Sequence, residues 1–430
     1  MRPQPVLAWT EHDLNMALLP GFSLNAVSSL LLYGLGFFNQ ALLARVLPPA
    51  EYGHLAIMAT TVMFGGLLLG EWLQRGATYV VGRDRAEAEV TGSALVYCAV
   101  IALVVMGMAI AGRNLTGNGF RAEWILVAGI TVLHATQKSG QGINLGSERL
   151  SIVAVTPLVM ICAYLGGNAL AVFTGVGLQL HTTLWIWLGA MGLSATVAYV
   201  PALRTGYGNL VFRRAIMAQT LCVGARGAVA AALIFLLFRS SIWLLGYLAT
   251  PLAAASFRVA LTFADLMQRL PNVAGMVLLA HVVRGHDRSG QLSLQVAQAT
   301  MAFSLLAAAG IGLAGRAALA IAFPRYPEAY IPLMCMLPGL VCTGPASVLN
   351  TKLAGTGYPA VMIWAPAVAL AVLMGCSLLL VPRWGLAGAG LAVSAAHITW
   401  STLVVRAYMS ATGHGWRRFL RWSGFDDNIQ

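Results

Sequence analysis

Charge is what this sequence has least of. Only 9% of its 430 residues are Asp, Glu, Lys or Arg, while 59% are hydrophobic. Soluble chains carry about 25% charged residues, so a water-soluble globular protein is excluded. Acid is scarcer than base, 14 Asp and Glu against 26 Lys and Arg, a net charge of +12. That excess follows the loops, as the positive-inside rule requires, and does not call for nucleic acid. Lysine is nearly missing: Lys138 and Lys352 are the two, and every other cation is Arg. The six cysteines form no CxxC pair and fall within apolar stretches, which excludes a disulfide framework and a cysteine metal site. Long hydrophilic loops are missing as well. None exceeds about fifteen residues, so no extramembrane catalytic domain fits and the chain does not read as an enzyme. The first 21 residues show no cleavable signal pattern, and the first apolar stretch reads as an uncleaved insertion signal.

What is there is a succession of apolar segments. They fall at 22–47, 53–80, 91–112, 122–143, 150–174, 183–203, 215–249, 252–283, 291–323, 329–354, 357–382 and 386–410. Each has about the length that crosses a bilayer as a helix. The fold expected is all-α: a polytopic membrane protein of about twelve transmembrane helices. Residues 204–214, RTGYGNLVFRR, form a polar linker that divides the spans six and six. The organisation read is a cytoplasmic tail at 1–21, one six-helix lobe at 22–203, the linker, a second lobe at 215–410 and a tail at 411–430. Arg83, Arg85, Arg204, Arg213 and Arg214 fall on the face of the linker, and fewer arginines fall opposite; both termini are therefore expected in the cytoplasm. Leu43 and Pro49 align with Leu245 and Pro251, 202 residues on, each pair between the first and second spans of its half. Six spans apart, such a repeat is parallel, with a pseudo-twofold axis along the membrane normal.

The candidate site is a polar stripe on an apolar helix. Arg258, Thr262, Asp265, Arg269 and Asn272 are spaced 4, 3, 4 and 3 in the stretch 251–283, which at about 100° per residue confines them to an arc of roughly 80°. One ionisable group at a bilayer centre costs about 2.5 to 3.5 kcal/mol, so three on a single span must pair or line a hydrated cavity. Asp265 and Arg269, at i and i+4, can pair along the helix. Other stripes bring in Asn25, Tyr33, Gly36 and Gln40 on the first span, and His134 and Lys138 on the fourth. Arg226 in the seventh span reads equally as a phosphate contact or as a side chain reaching for the interface. Glu71 and Arg75 form a candidate gate or coupling pair, with Asp265 a further coupling candidate. Arg239 and Lys352, nearer span ends, read as interfacial, and His397 as a packing residue. Spans three, five, nine and eleven, nearly clean of charge, are expected to face lipid.

The turn at 44–53, Ala44, Arg45, Leu47, Pro49, Glu51, Tyr52 and Gly53, resembles the opening turn of the polysaccharide transporters of the multidrug, oligosaccharidyl-lipid and polysaccharide (MOP) exporter superfamily. The segment with Pro382, Gly385, Gly388, Ala389 and Ala392 is similar to the turn into that family's last helix, and Leu270 and Pro271 to the kink in its eighth span. The resemblance implies a MATE-like fold and a flippase that carries polyprenyl-pyrophosphate-linked oligosaccharide across the bacterial inner membrane by alternating access. Its partners would be that lipid-linked substrate, membrane lipids and glycan polymerase or assembly proteins. No cofactor is called for beyond a coupling proton or sodium ion. The alternative is an ion-coupled exporter of drugs or solutes. The first span argues against it, offering Asn25, Asn39 and Gln40 where the drug-efflux relatives carry a carboxylate. A membrane-bound enzyme of glycan assembly and a non-transporting scaffold remain as further readings.

Overall fold

The computed structural model describes residues 11–116, 123–206, 210–283, 287, 290–355, 359–413, 415 and 419; at 11–26, 113–116, 206, 226, 276, 277 and 279–283 it describes the backbone alone. Within the first half run α1 (Glu11–Val46), α2 (Pro49–Asp84), α3 (Glu87–Thr116), α4 (Glu123–Gly146), α5 (Leu150–Phe173) and α6 (Leu180–Gly206). The second half holds α7 (Arg214–Leu248), α8 (Pro251–Met267), α9 (Arg269–Val283), α10 (Gln291–Ala322), α11 (Tyr330–Gly355) and α12 (Val361–Thr412), with a short 3-10 turn at Pro327–Ala329. Among the described residues there is no strand, and nine helices are long and apolar enough to cross a membrane.

Local chemistry sets the breaks. The stretch 251–283, read from the sequence as one helix, is two. Pro271 has no N–H to give to the carbonyl of Met267, and the chain turns at Gln268 between α8 and α9. Gln268 holds the break in place, its side-chain amide donating to the Leu340 carbonyl and the Thr343 hydroxyl of α11. The 52-residue α12 is a hairpin of two spans, folded at Gly385, whose φ of 53° and ψ of −125° no side chain adopts readily. The start of α8 is also specified locally: Pro251 stands in its first turn and the Thr250 hydroxyl accepts from Ala253 N at 3.1 Å.

Counting α8 with α9 as one span and α12 as two gives six spans on each side of the linker, and the packing order of the first six recurs in the second. Helix α2 lies on α4, α4 on α3 and α6, and α1 on α5; correspondingly α8 and α9 lie on α11, α11 on α10 and α12, and α7 on α12. The repeated turns of the two lobes come into contact. A Cβ on Gly53, four residues after Pro49, would lie 1.9 Å from the carbonyl oxygen of Pro251.

Two seams join the lobes. Along the first, α2 packs on α7 over its whole length, close enough that a Cβ on Gly76 would lie 1.9 Å from the Thr220 oxygen and one on Gly224 2.0 Å from that of Trp72. Further along it, Phe64 stacks on Phe235 at 5.8 Å and Trp243 donates to the Thr61 hydroxyl at 3.1 Å. The second seam, α1 against α8 and α9, is held by isolated side chains and leaves space between. At the face of the α1–α2 turn the lobes are stapled reciprocally. Arg45 donates to the Ala322 carbonyl at 3.1 Å and to that of Ile321, while Arg325 donates to the Leu47 carbonyl at 3.3 Å. Tyr52 and Tyr326, both 1% exposed, meet at 5.5 Å beneath this staple. The chain from 210 to 213, inside the linker, is docked on α3: Arg213 N donates to the Ser93 hydroxyl at 3.1 Å and its guanidinium lies 3.8 Å from Glu89.

Candidate functional site

Three cavities adjoin one another, a central one between the lobes and one on either side of it. A central one of about 240 Å³ is bordered on α1 by Tyr33, Gly36 and Gln40, and on α8 by Arg258, Thr262 and Asp265. Arg239 of α7 and Arg269 of α9 complete its charged wall. Past Arg258 and Gln40 it meets a smaller cavity of about 150 Å³ in the first lobe, between Tyr52, Tyr164 and Trp187. Past Arg239, Asp265 and Arg269 it meets a third, of about 290 Å³, in the second lobe. All five members of the α8–α9 stripe border one of these spaces, so the helical periodicity places them on one wall.

The charges are not paired along the helix. Asp265 is held from α7: Arg239 Nη2 donates to both carboxylate oxygens at 2.7 Å. Arg269 turns instead to α1, its guanidinium carbon 3.1 Å from the centre of the Tyr33 ring, a cation–π contact across the second seam. Arg258 has no hydrogen-bond or ion-pair partner among the described residues. Three guanidinium groups against one carboxylate leave the chamber with two positive charges uncompensated. Such a site attracts an anion, and arginine forks suit the oxygens of a phosphate or carboxylate. Aromatic contacts close the chamber toward the stapled face: Phe37 of α1 meets Phe263 at 6.0 Å and Phe323 at 5.7 Å, edge to face.

A second ionic cluster lies apart. Glu71 is bridged by Arg75 at 2.8 Å and by Lys138 of α4 at 3.4 Å, which ties α2 to α4. His134 packs against Gly66 of α2, with Nδ1 buried and unpartnered. Neither Lys138 nor His134 borders the three cavities. Gln40 borders two of them and accepts from the Tyr52 hydroxyl at 2.9 Å. The side chains of Asn25 and Arg226 lie outside the described residues.

Sequence reasoning placed Arg239 at an interface, and the structure places it in the chamber wall as the partner of Asp265. The sequence carried no signal for it, since Asp265 had Arg269 one turn away and nothing local set α7 beside α8. Lys352, also read as interfacial, is 6% exposed and bridges to Asp287 at 3.3 Å. Helix α5, expected against lipid, contributes Met160, Ile161 and Tyr164 to the cavities. Its clean hydropathy hid this because an apolar helix can face a cavity as well as lipid.

No protein-family model matches the chain, and no curated protein matches it. Solved structures do. A multidrug resistance MATE family transporter of the MOP superfamily, in an inward-facing conformation, superposes with a TM-score of 0.70 at 14% identity, over 89% of this chain and 94% of that one. The lipid II flippase MurJ, in an inward closed conformation, gives 0.69 at 12% identity over 90% of both chains. A MOP superfamily transporter from Pyrococcus furiosus gives 0.60 at 14% identity, over 90% and 92%. At these identities the likeness is one of fold, and it extends over nearly the whole of each chain. The protein is a multi-pass membrane protein with the fold of the MOP-superfamily transporters.

Proposed function

We propose that this protein is a flippase for polyprenyl-pyrophosphate-linked oligosaccharide in the bacterial inner membrane, with both termini cytoplasmic. The observation that carries the reading is the uncompensated positive charge of the central cavity, in a fold shared with a lipid II flippase. A pyrophosphate is the anion that matches it: two phosphoryl groups offer enough oxygens for Arg258 and Arg269 together, without displacing Asp265 from Arg239. The α1 seam, bridged by single side chains, gives the polyprenyl tail a way to stay in lipid while the headgroup enters. The stapled face then corresponds to the outside, and the cavities load from the cytoplasm. Transport breaks the reciprocal Arg45 and Arg325 contacts and rocks the lobes about the α2–α7 seam.

The test is headgroup accessibility in vesicles reconstituted with the protein and a fluorescent lipid-linked oligosaccharide. Wild type should move the headgroup between leaflets, and Arg258→Ala with Arg269→Ala should slow it by about a hundredfold, the loss of two charge-assisted contacts. No movement under either a proton or a sodium gradient would sink the proposal and leave solute export as the reading to pursue.

A further inference from the structure

The cavity in the second lobe differs in chemistry from the charged chamber beside it. Beyond the shared Arg239, Asp265 and Arg269, its wall is made of uncharged amides and hydroxyls, Gln268 at the α8–α9 break, Asn272 of α9 and Ser347, Asn350 and Thr351 of α11, with Ile234, Phe238 and the Trp400 indole. Ser347 and Thr351 spend their hydrogens on helix carbonyls, those of Thr343 and Ser347, each at 2.9 Å, and so turn acceptor lone pairs outward. Gln268 spends its amide N–H groups on α11 and keeps its carbonyl oxygen. Asn272 and Asn350 have no side-chain partner among the described residues, leaving both functions of each amide available. Two donors are also unspent: the Trp400 Nε1, in a residue 2% exposed, and Arg239 Nη1, both buried without a partner.

A phosphate has Arg239 and Arg269 in this wall, but it offers acceptors only and would meet three fixed acceptors, Gln268, Ser347 and Thr351, and the Asp265 carboxylate, leaving most of the uncharged wall unserved. The complementary ligand carries groups that donate and accept at once, closely spaced on a small body, with an apolar face for the indole. That describes a sugar ring. The first-lobe cavity makes the contrast: Leu55, Ala56, Ala59, Met63, Met160 and Ile161 give its wall an apolar side, and its volume is about 150 Å³ against about 290 Å³.

We propose that the cavity bounded by Asn272, Asn350 and Trp400 is a saccharide subsite, which takes the sugar ring next to the pyrophosphate through its hydroxyls. The cargo thereby straddles the lobes, with its sugar in the second lobe, its pyrophosphate at Arg258 and Arg269, and its tail at the α1 seam. This rests on the flippase reading and adds the polarity with which the headgroup lies.

The experiment compares two probes on the full-length protein in detergent by calorimetry: geranyl diphosphate, and the same diphosphate bearing one hexose. Wild type should bind the hexose-bearing probe about tenfold more tightly, the worth of one or two net hydrogen bonds. Asn350→Leu should erase that gain and leave geranyl diphosphate binding unchanged. Asn272→Ala, at an exposed position, and Trp400→Phe, which removes the indole N–H and keeps an aromatic ring, should each reduce it. Arg258→Ala should weaken both probes alike. Equal binding of the two probes by wild type, or a gain kept in Asn350→Leu and Asn272→Ala, overturns the subsite while the flippase stands. Failure of wild type to bind either probe overturns the flippase reading and the subsite with it.

Discussion

The two lobe seams occupy equivalent places in the repeat, since α2 corresponds to α8 with α9 and α7 to α1, yet they are built from opposite materials. On the α2–α7 seam, glycines let backbones touch: Gly76 and Gly224 sit against the carbonyls of Thr220 and Trp72. On the α1 seam Gly36 has nothing within 4 Å of its would-be Cβ, and the bridging contacts are side chains, Tyr33 to Arg269 and Phe37 to Phe263. Backbone-to-backbone packing cannot be undone in part, whereas a side chain can swing to another rotamer. A pseudo-symmetric molecule thus acquires one seam that holds and one that yields. The yielding seam also borders the charged cavity.

The largest expected effect comes from wedging the seam that holds. Gly76→Leu places a branched side chain where even a methyl would sit 1.9 Å from a backbone oxygen, so the helices must part. We expect destabilisation of about 3 kcal/mol, the upper end for overpacking, read as a lowered melting temperature in detergent and a collapse of transport. Gly36→Ala on the other seam should cost no stability and add a few tenths of a kcal/mol through helix propensity. If both substitutions behave alike, the contrast between the seams is wrong.

A smaller effect sharpens the contrast at the charged wall. Arg239→Met strands the Asp265 carboxylate, and Asp265→Leu strands the guanidinium; each should destabilise by about 1 to 3 kcal/mol. The pair is a fifth to a third exposed, side chains 19% and 29%, which keeps the cost below that of a fully buried ion pair. The double variant should recover most of that stability, since it leaves no charge alone. Its transport should remain impaired, because Asp265 no longer limits what the remaining arginines bind. A melting series with the two single variants and the double measures the coupling.

How much of this the sequence could show depends on whether a feature is local. Twelve spans, six on either side of 204–214, follow from hydropathy, and the wall of Arg258, Asp265 and Arg269 follows from a period of 3.6. Pro271 marked a kink but not that the helix would end at Met267, which depends also on the grip of Gln268 on α11. Partner choice was not legible. The i, i+4 spacing offered Arg269 to Asp265, but a contact from α7 depends on how two distant helices are set side by side, and Arg239 took the acid. Ser347 and Asn350 stand three residues apart and so share a helix face, although nothing in that spacing says which cavity the face meets. In the same way Glu71 pointed to Arg75 one turn away and gave no hint of Lys138 on α4.

The smallest effect tests the latch of the yielding seam. Tyr33 gives Arg269 an aromatic face and nothing else that is charged, so it occupies the guanidinium without neutralising it. On the proposed flippase reading, a pyrophosphate would offer far more and draw Arg269 away at a cost of about 0.5 to 2 kcal/mol, the worth of a cation–π contact. Tyr33→Phe retains the ring and should leave transport near wild type. Tyr33→Leu removes the competitor: Arg269 is free from the outset, and the apparent affinity for lipid-linked oligosaccharide should rise about two- to fivefold. Meanwhile α1 loses a tether to the second lobe, so the empty protein should leak small anions that wild type excludes. Titrating substrate in the vesicle assay with both variants separates the outcomes. A rise in Tyr33→Leu alone assigns the ring as the latch, and a fall in both would mean that the hydroxyl of Tyr33 touches the cargo.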